Sequence, residues 1–369
     1  MTFASEHKPA TWFVSVGNFF RWLCVYLFFA NTADEFTDWM PEGYAQFTWN
    51  AMIGVAVALL FTLSEYAWLY FKRPRLTNLL KRHHLNQLAV RYFLGFILLG
   101  YGISKILDEQ FHTLYTVFEK PLSAISGWQL AWRFFDYSYK YKLFIGLGQI
   151  LGGLLLLNIR TALLGIIVSL PIMANIVFIN FAFGIPVTFF SMCYLLFLVY
   201  LLLCDYDRLY LFFIRNQAVP SKDKPVRFSY LSKRSFRIVS NLFIAYITVQ
   251  PIVSYLPGYL NDLENKPFVG VYRVTNFLIN NQPVKADSLA WEKLYVDRYN
   301  IGVVKFAEGA DRRSTLTFDN AHHQLKILFE NPSDQDIYAS YNRGTDQAIY
   351  LKGRCGKDSI KMDLQFLYK

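Results

Sequence analysis

Only four cysteines, Cys24, Cys193, Cys204 and Cys355, occur in 369 residues, with no C-x-x-C and no even-numbered cluster. That scarcity excludes a disulfide framework and a thioredoxin-like dithiol. Charge is scarce too: charged types make up 17% of the chain against 54% hydrophobic, outside the composition of an ordinary soluble domain. No H-E-x-x-H, G-x-x-x-x-G-K-[ST] or G-x-S-x-G occurs, so zinc-peptidase, P-loop and serine-hydrolase chemistry lack their motifs. The six histidines, His7, His83, His84, His112, His322 and His323, fall outside every expected membrane crossing, which argues against bis-histidine haem in a helix bundle. Neighbouring His322 and His323 would point to opposite faces of a strand and make a poor metal pair. No metal site and no cofactor motif is expected.

What the chain does contain is long apolar runs. Residues 143–203 carry one formal charge, Arg160, and a crossing helix needs about 20 apolar residues. Breaks at Asn158-Ile159-Arg160 and Gly184-Ile185-Pro186 divide this block into three crossings, 142–159, 161–183 and 187–204. Further crossings are expected at 12–31, 48–71, 88–107 and 238–256, the last ending near Pro251 and Pro257, which makes about seven in all. The first, Trp12–Ala30, contains Asn18 and Arg21 and reads as an anchor, not a cleaved leader.

Sidedness follows from the loops. Residues 32–47 hold Asp34, Glu35, Asp38 and Glu42 without a base, whereas 72–84 hold Lys72, Arg73, Arg75, Lys81 and Arg82 without an acid. By the positive-inside rule the second loop is cytoplasmic, as is the N-terminus. The loop 205–237, with eight bases against three acids, then lies on the same side. The net charge of +10 is thereby assigned to membrane topology, and no nucleic acid is expected as a partner. Arg21, Glu65 and Tyr66 read as interfacial anchors. The aromatic-rich stretch 108–141 is expected outside, with an amphipathic interfacial or re-entrant helix around 125–139.

From about Gly270 the apolar period shortens to two. Eight runs, from GVYRVTNFLI at 270–279 to SIKMDLQFLY at 359–368, are separated by Asn, Asp, Gly and Pro at hairpin spacing. An antiparallel meander closed into a small barrel is expected, on the extracytoplasmic side, either filled by side chains or enclosing one small ligand. The expected divisions are 1–87 (two helices and a basic loop), 88–215 (membrane core), 216–256 (loop and seventh helix) and 257–369 (barrel).

Within the crossings, Arg91, Gly95, Leu98, Gly102 and Lys105 share one face of segment three. Gly95, Gly102, Gly152 and Gly153 would let helices approach closely. Lys105, Tyr101, Gln149, Asn175 and Asn180 fall in the same outer half of the bilayer. Lys105 reads either as a functional group or as a cation snorkelling to the headgroups, and the amides either as helix-to-helix glue or as a polar pocket.

The segments RYFLGFILLGYGISKIL, GQILGGLLLL, RTALLGIIV, MANIVFINFAFGIPV and LLLCDYDRLYLFF, over about 91–215, resemble the DoxX family of bacterial membrane proteins, with extra helices and a C-terminal β domain. The resemblance implies a four-helix core in the bacterial inner membrane, in some members associated with thiosulfate:quinone oxidoreduction or thiol stress. It singles out Gly102, Lys105, Gly152, Gly153 and Asn175, and it departs at Gln149, where the family pattern implies Glu. The β domain resembles lipocalin-like barrels. Two functions follow as expectations: a membrane protein that binds a hydrophobic small molecule, or a partner membrane or periplasmic subunit, at an outer polar pocket; or a quinone-linked oxidoreductase subunit whose Lys105 and Gln149 hold the quinone while a partner supplies the redox chemistry. A transporter would need polar residues through both leaflets, and the sequence places them mainly in the outer one.

Overall fold

The apolar patterning changes period after residue 268, and so does the backbone. The structure, a computed structural model, describes residues 11–32, 44–72, 76–218, 233–265, 268–284, 290–307, 310–331, 334–344 and 347–368. It forms two compact units, one of Met1–Ile106 with Tyr137–Ser254 and one of Leu107–Asp136 with Tyr255–Lys369. The acidic stretch 34–42, the bases 73–75 and most of the loop 219–232 lie outside the described residues.

In chain order the helices are α1 (Thr11–Thr32), α2 (Tyr44–Lys72), α3 (Leu76–Ile106), α4 (Tyr115–Phe118), α5 (Gly127–Asp136), α6 (Tyr139–Leu157), α7 (Ala162–Ala182), α8 (Thr188–Cys204), α9 (Tyr206–Leu209, continued as a wider turn over Tyr210–Ile214) and α10 (Lys233–Asn265). Among the described residues five are long and apolar enough to cross a membrane: 52–71, 78–106, 139–157, 162–182 and 241–261. A sixth is added if 188–204 and 206–214, bent by 66° at Asp205, count as one span. Helix α1 covers the residues of the first expected crossing but is not among these candidates. In the helical unit α3 is central, packing on α1, α6 and α8, and its Val90, Leu94 and Leu98 join Leu27, Leu156, Ile166 and Phe197 in one apolar core.

Two boundaries differ from expectation. Helix α3 starts at Leu76, so Lys81 and Arg82 lie in helix where a loop was expected, and His83 and His84 lie within the candidate span. The polar run did not break the helix: Asn86 buries its amide against Asn18 of α1, and Gln87 bonds His83 one turn back at 2.7 Å. The positional argument against bis-histidine haem therefore falls. Among the described residues, however, no histidine on another helix faces these two. Helix α10 runs through Pro251 and Pro257, and a bilayer-facing helix tolerates proline where neighbours re-satisfy the freed carbonyls.

The barrel is an antiparallel meander of β1 (Gly270–Ile279), β2 (Gln282–Pro283), β3 (Trp291–Val296), β4 (Ile301–Phe306), β5 (Arg312–Asp319), β6 (Gln324–Phe329), β7 (Ile337–Arg343), β8 (Ile349–Cys355) and β9 (Asp358–Tyr368). Long strand β1 pairs with β3 and the two-residue β2 on one edge and with β9 on the other, which closes the eight main strands into a ring. Alternate residues face inward: Tyr272, Leu294, Val304, Leu316, Ile327, Ala339, Leu351 and Met362 are buried among others, so the interior is filled with side chains. Gly353 is required where β8 crosses β7, because a Cβ there would meet the Tyr338 carbonyl oxygen at 2.2 Å. On the outside of β1, β3 and β4, Val271, Tyr295 and Val303 are also buried, and Tyr115 from the 107–136 stretch packs over them.

Candidate functional site

Close approach of α3 and α6 is what builds the site. A Cβ on Gly102 would lie 2.8 Å from the Gly146 carbonyl oxygen, and one on Gly153 would lie 3.2 Å from that of Gly95. Backbones in such contact leave room only where a larger side chain fits between turns. Lys105 is one of these, 4% exposed, its Cβ 3.3 Å from where a Gly146 side chain would start. Its Nζ donates to the Tyr101 carbonyl oxygen at 3.3 Å and lies 5.5 Å from the Tyr101 ring centroid. The ammonium therefore turns back one turn toward the middle of α3, opposite to the direction in which snorkelling would carry it.

Gln149, on α6, is 2% exposed, and its Oε1 has no hydrogen-bond partner among the described residues. Ser169 on α7 is in the same condition: its Oγ is buried without a partner and sits 2.3 Å from where a Gly152 Cβ would be. Buried polar atoms normally find partners, and these two oxygens lie about one turn apart along α6, since Ser169 faces Gly152. Ser169 gave no signal in the sequence, where it is a lone hydroxyl in an apolar run. Lys142, one and two turns before Gly146 and Gln149 on α6, is also fully buried.

The other expected residues lie elsewhere. Asn180 donates to Ser191 Oγ at 3.0 Å and joins α7 to α8, whereas Asn175 lies on an exposed face of α7. Arg91, on the glycine face of α3, donates from Nε to the Leu156 carbonyl oxygen at 3.0 Å and from Nη2 to that of Leu157 at 3.3 Å. It thus caps the last turn of α6, whose carbonyls have no partner within their own helix.

A second polar cluster lies toward the other end of α3. Arg21 donates to Glu65 at 2.7 Å and to Asn86 Oδ1 at 3.0 Å, Arg82 lies 3.4 Å from the same Glu65 oxygen, and Asn86 Nδ2 donates to Asn18 Oδ1 at 2.9 Å. Arg21 and Glu65, expected as separate anchors, are therefore paired with each other. Asn18 and Asn86 are fully buried, and the sequence offered no sign that they meet.

In the barrel unit, the 107–136 stretch is held by ionised groups. Glu119 accepts from Lys293 Nζ at 2.7 Å and from the Tyr295 and Tyr368 hydroxyls at 2.8 Å each. Burial alone would raise the Glu119 carboxyl, but those three donors and the Lys293 charge hold it below its ordinary range. Asp108 pairs with Arg298, and Asp297 accepts from the Tyr115 backbone N–H at 3.0 Å with His112 Nε2 3.8 Å away. Burial pushes the Asp297 carboxyl up to about 7, with Asp136 adding to the rise and the Tyr115 N–H, Arg298 and Arg313 opposing it. Turn residue His322 bonds Asp319 at 2.8 Å, and His323 packs on Tyr341. No group of three metal-ligating side chains occurs among the described residues.

The chain is similar to the uncharacterized protein YwoB of Bacillus subtilis (strain 168), with 39% identity over 132 residues, a match that spans 36% of this chain and 84% of that one. No family model and no solved structure matches, so the DoxX resemblance rests on the quoted segments alone.

Proposed function

We propose, for a chain that belongs to the same family as YwoB, that it is an integral protein of the bacterial inner membrane which binds the polar end of a hydrophobic small molecule between α3, α6 and α7. Lys105 supplies the charged donor, Gln149 and Ser169 the neutral groups, and Tyr101 a ring beside the ammonium. The single observation that carries this reading is the pair of orphaned buried oxygens on Gln149 and Ser169, on helices that pack with α3 and α6, where Lys105 is buried and turns back along α3. In an apolar helix bundle such groups are retained at a cost and mark ligand or ion sites. Asn180 and Asn175 take no part. The four-helix core in this reading is α3, α6, α7 and α8, with α1, α2 and α10 around it to make seven crossings, the N-terminus in the cytoplasm and the barrel outside.

Pairing of the 107–136 stretch with the barrel supports that topology. The stretch follows α3, the barrel follows α10, and the four crossings α6, α7, α8 and α10 between them return the chain to its starting side. The rival, a quinone-linked subunit, is favoured by the same groups, since the Lys105 ammonium can donate to a quinone carbonyl and the unpartnered Gln149 Oε1 can accept from the hydroxyl of the quinol. Extraction and mass spectrometry of small molecules from the purified full chain tests the binding reading: the wild type is expected to carry a lipid-soluble compound that Lys105→Ala and Gln149→Leu lose. Retention of the same compound in both variants would refute it. If that compound is a quinone, and thiosulfate-dependent quinone reduction falls in Lys105→Ala, the rival holds.

A further inference from the structure

The barrel presents two different outer faces. That of β1, β3 and β4 is covered by the chain's own 107–136 stretch, joined to α3 and α6. The face of β6 to β8 with the first half of β9 is exposed and carries a group of bases, with Asp363 opposite Tyr350 at its margin. In register across three strands stand Lys326, Tyr338 and Arg354, and in the next outward row Ser340, Lys352 and Lys361. Lys352 and Lys361 are directly opposed on neighbouring antiparallel strands, an arrangement of like charges that weakens a sheet. Lys326, Lys352 and Arg354 are exposed and have no ion pair among the described residues, while Lys361 donates only to Asn281. Tyr338 and Tyr350 stand out between them, 54% and 49% exposed. This is segregation, not a basic domain: residues 257–369 carry 15 bases against 14 acids. Several of those acids are spent elsewhere, Asp297 buried, Asp334 paired with Arg312 and Glu292 with Lys305.

From this geometry we infer that the β6–β9 face is a docking surface for a linear polymer bearing phosphates. The cations stand at strand spacings, about 5 Å across the sheet and about 7 Å between alternate residues along β8, so several phosphates of one chain can each meet a cation. Closure by β1 and β9 gives each of β6 to β9 a neighbour on both sides, so a peptide cannot add there as a strand, and contact is through side chains alone. In the Lys326–Tyr338–Arg354 row a hydroxyl stands between two cations, an order suited to the several acceptor oxygens of a phosphate more than to the two of a carboxylate.

Fluorescent long-chain polyphosphate titrated onto the full chain in detergent tests the inference. Binding is expected to weaken with salt on a log–log slope of about −3, for roughly four contacts to a single-stranded polyanion. Lys352→Glu with Arg354→Glu is expected to lower affinity about 100-fold. A control, Lys120→Glu with Lys140→Glu, changes net charge equally on exposed residues outside the face and is expected to leave affinity within about twofold. Equal loss in both variants would show mere attraction to a basic chain and overturn the inference, as would absence of binding to the wild type. Polyglutamate binding as tightly as polyphosphate would assign the surface to an acidic polypeptide instead. Loss of small molecules from the Lys105 site leaves these outcomes unaffected, so the two readings fail separately.

Discussion

Asp297 keeps its carboxyl entirely out of water, with one oxygen on the Tyr115 N–H and the other without a hydrogen-bond partner among the described residues. Because its pKa is raised from 3.8 to about 7 on folding, the folded state holds the proton more tightly. The associated stability is fully present below about pH 4 and is lost as pH rises through 7. Asp297→Asn retains the acceptor without the charge, so the variant is expected to melt with less pH dependence between pH 5 and 8 and to exceed the wild type at pH 8. A wild-type melting temperature that is flat across that range would sink this account. Arg91 makes a second case. Arg91→Ala would strip the donors from two carbonyls at the end of α6 and is expected to cost about 2–4 kcal/mol, read as a lower unfolding midpoint in detergent. The glycine-faced position of Arg91 was legible in the sequence. Its acceptors, 65 and 66 residues away, were not.

At the scale of elements, strands were the most legible. The period-two runs at 270–279, 301–306 and 324–329 became β1, β4 and β6 with little adjustment, because turn residues punctuate them. Helix α3 was misjudged at its start, since a cluster of bases resembles a loop when the partners of Asn86 and Glu65 come from α1 and from α3 itself. Equally hidden was the attachment of the 107–136 stretch, whose Glu119 meets residues 174, 176 and 249 positions later. Glu119→Ala leaves Lys293 and two tyrosine hydroxyls without their acceptor. Trypsin is expected to cut that variant after Arg133 about tenfold faster than the wild type, while the barrel core resists, since local opening governs cleavage. Unchanged cleavage would mean that Asp108, Asp297 and Tyr115 hold the stretch without it.

For the whole molecule, the decisive relation is that one compact unit draws on two distant parts of the chain, 107–136 and 255–369. Whatever side of a membrane receives one must receive the other. Single cysteines placed by Lys120→Cys and Lys326→Cys are expected to react with an impermeant maleimide in intact cells, and Gln217→Cys only after permeabilisation. Opposite reactivity of positions 120 and 326 would contradict both the crossing count and the pairing. The charge rule read from the loops predicts which side, and the attachment of Glu119 to β3 and β9 independently requires that the two agree.

Closure of the barrel by β1 on β9 also sets a clock. Asn280 bonds Asp358, 78 residues further along, so the first long strand is made well before the one that completes it. At a ribosomal rate of about 5–20 residues per second, that interval lasts roughly 4–16 s. For those seconds a hydrophobic strand waits, half-paired, after every helix has already been synthesised, and whatever meets the nascent chain then decides whether the sheet seals or aggregates.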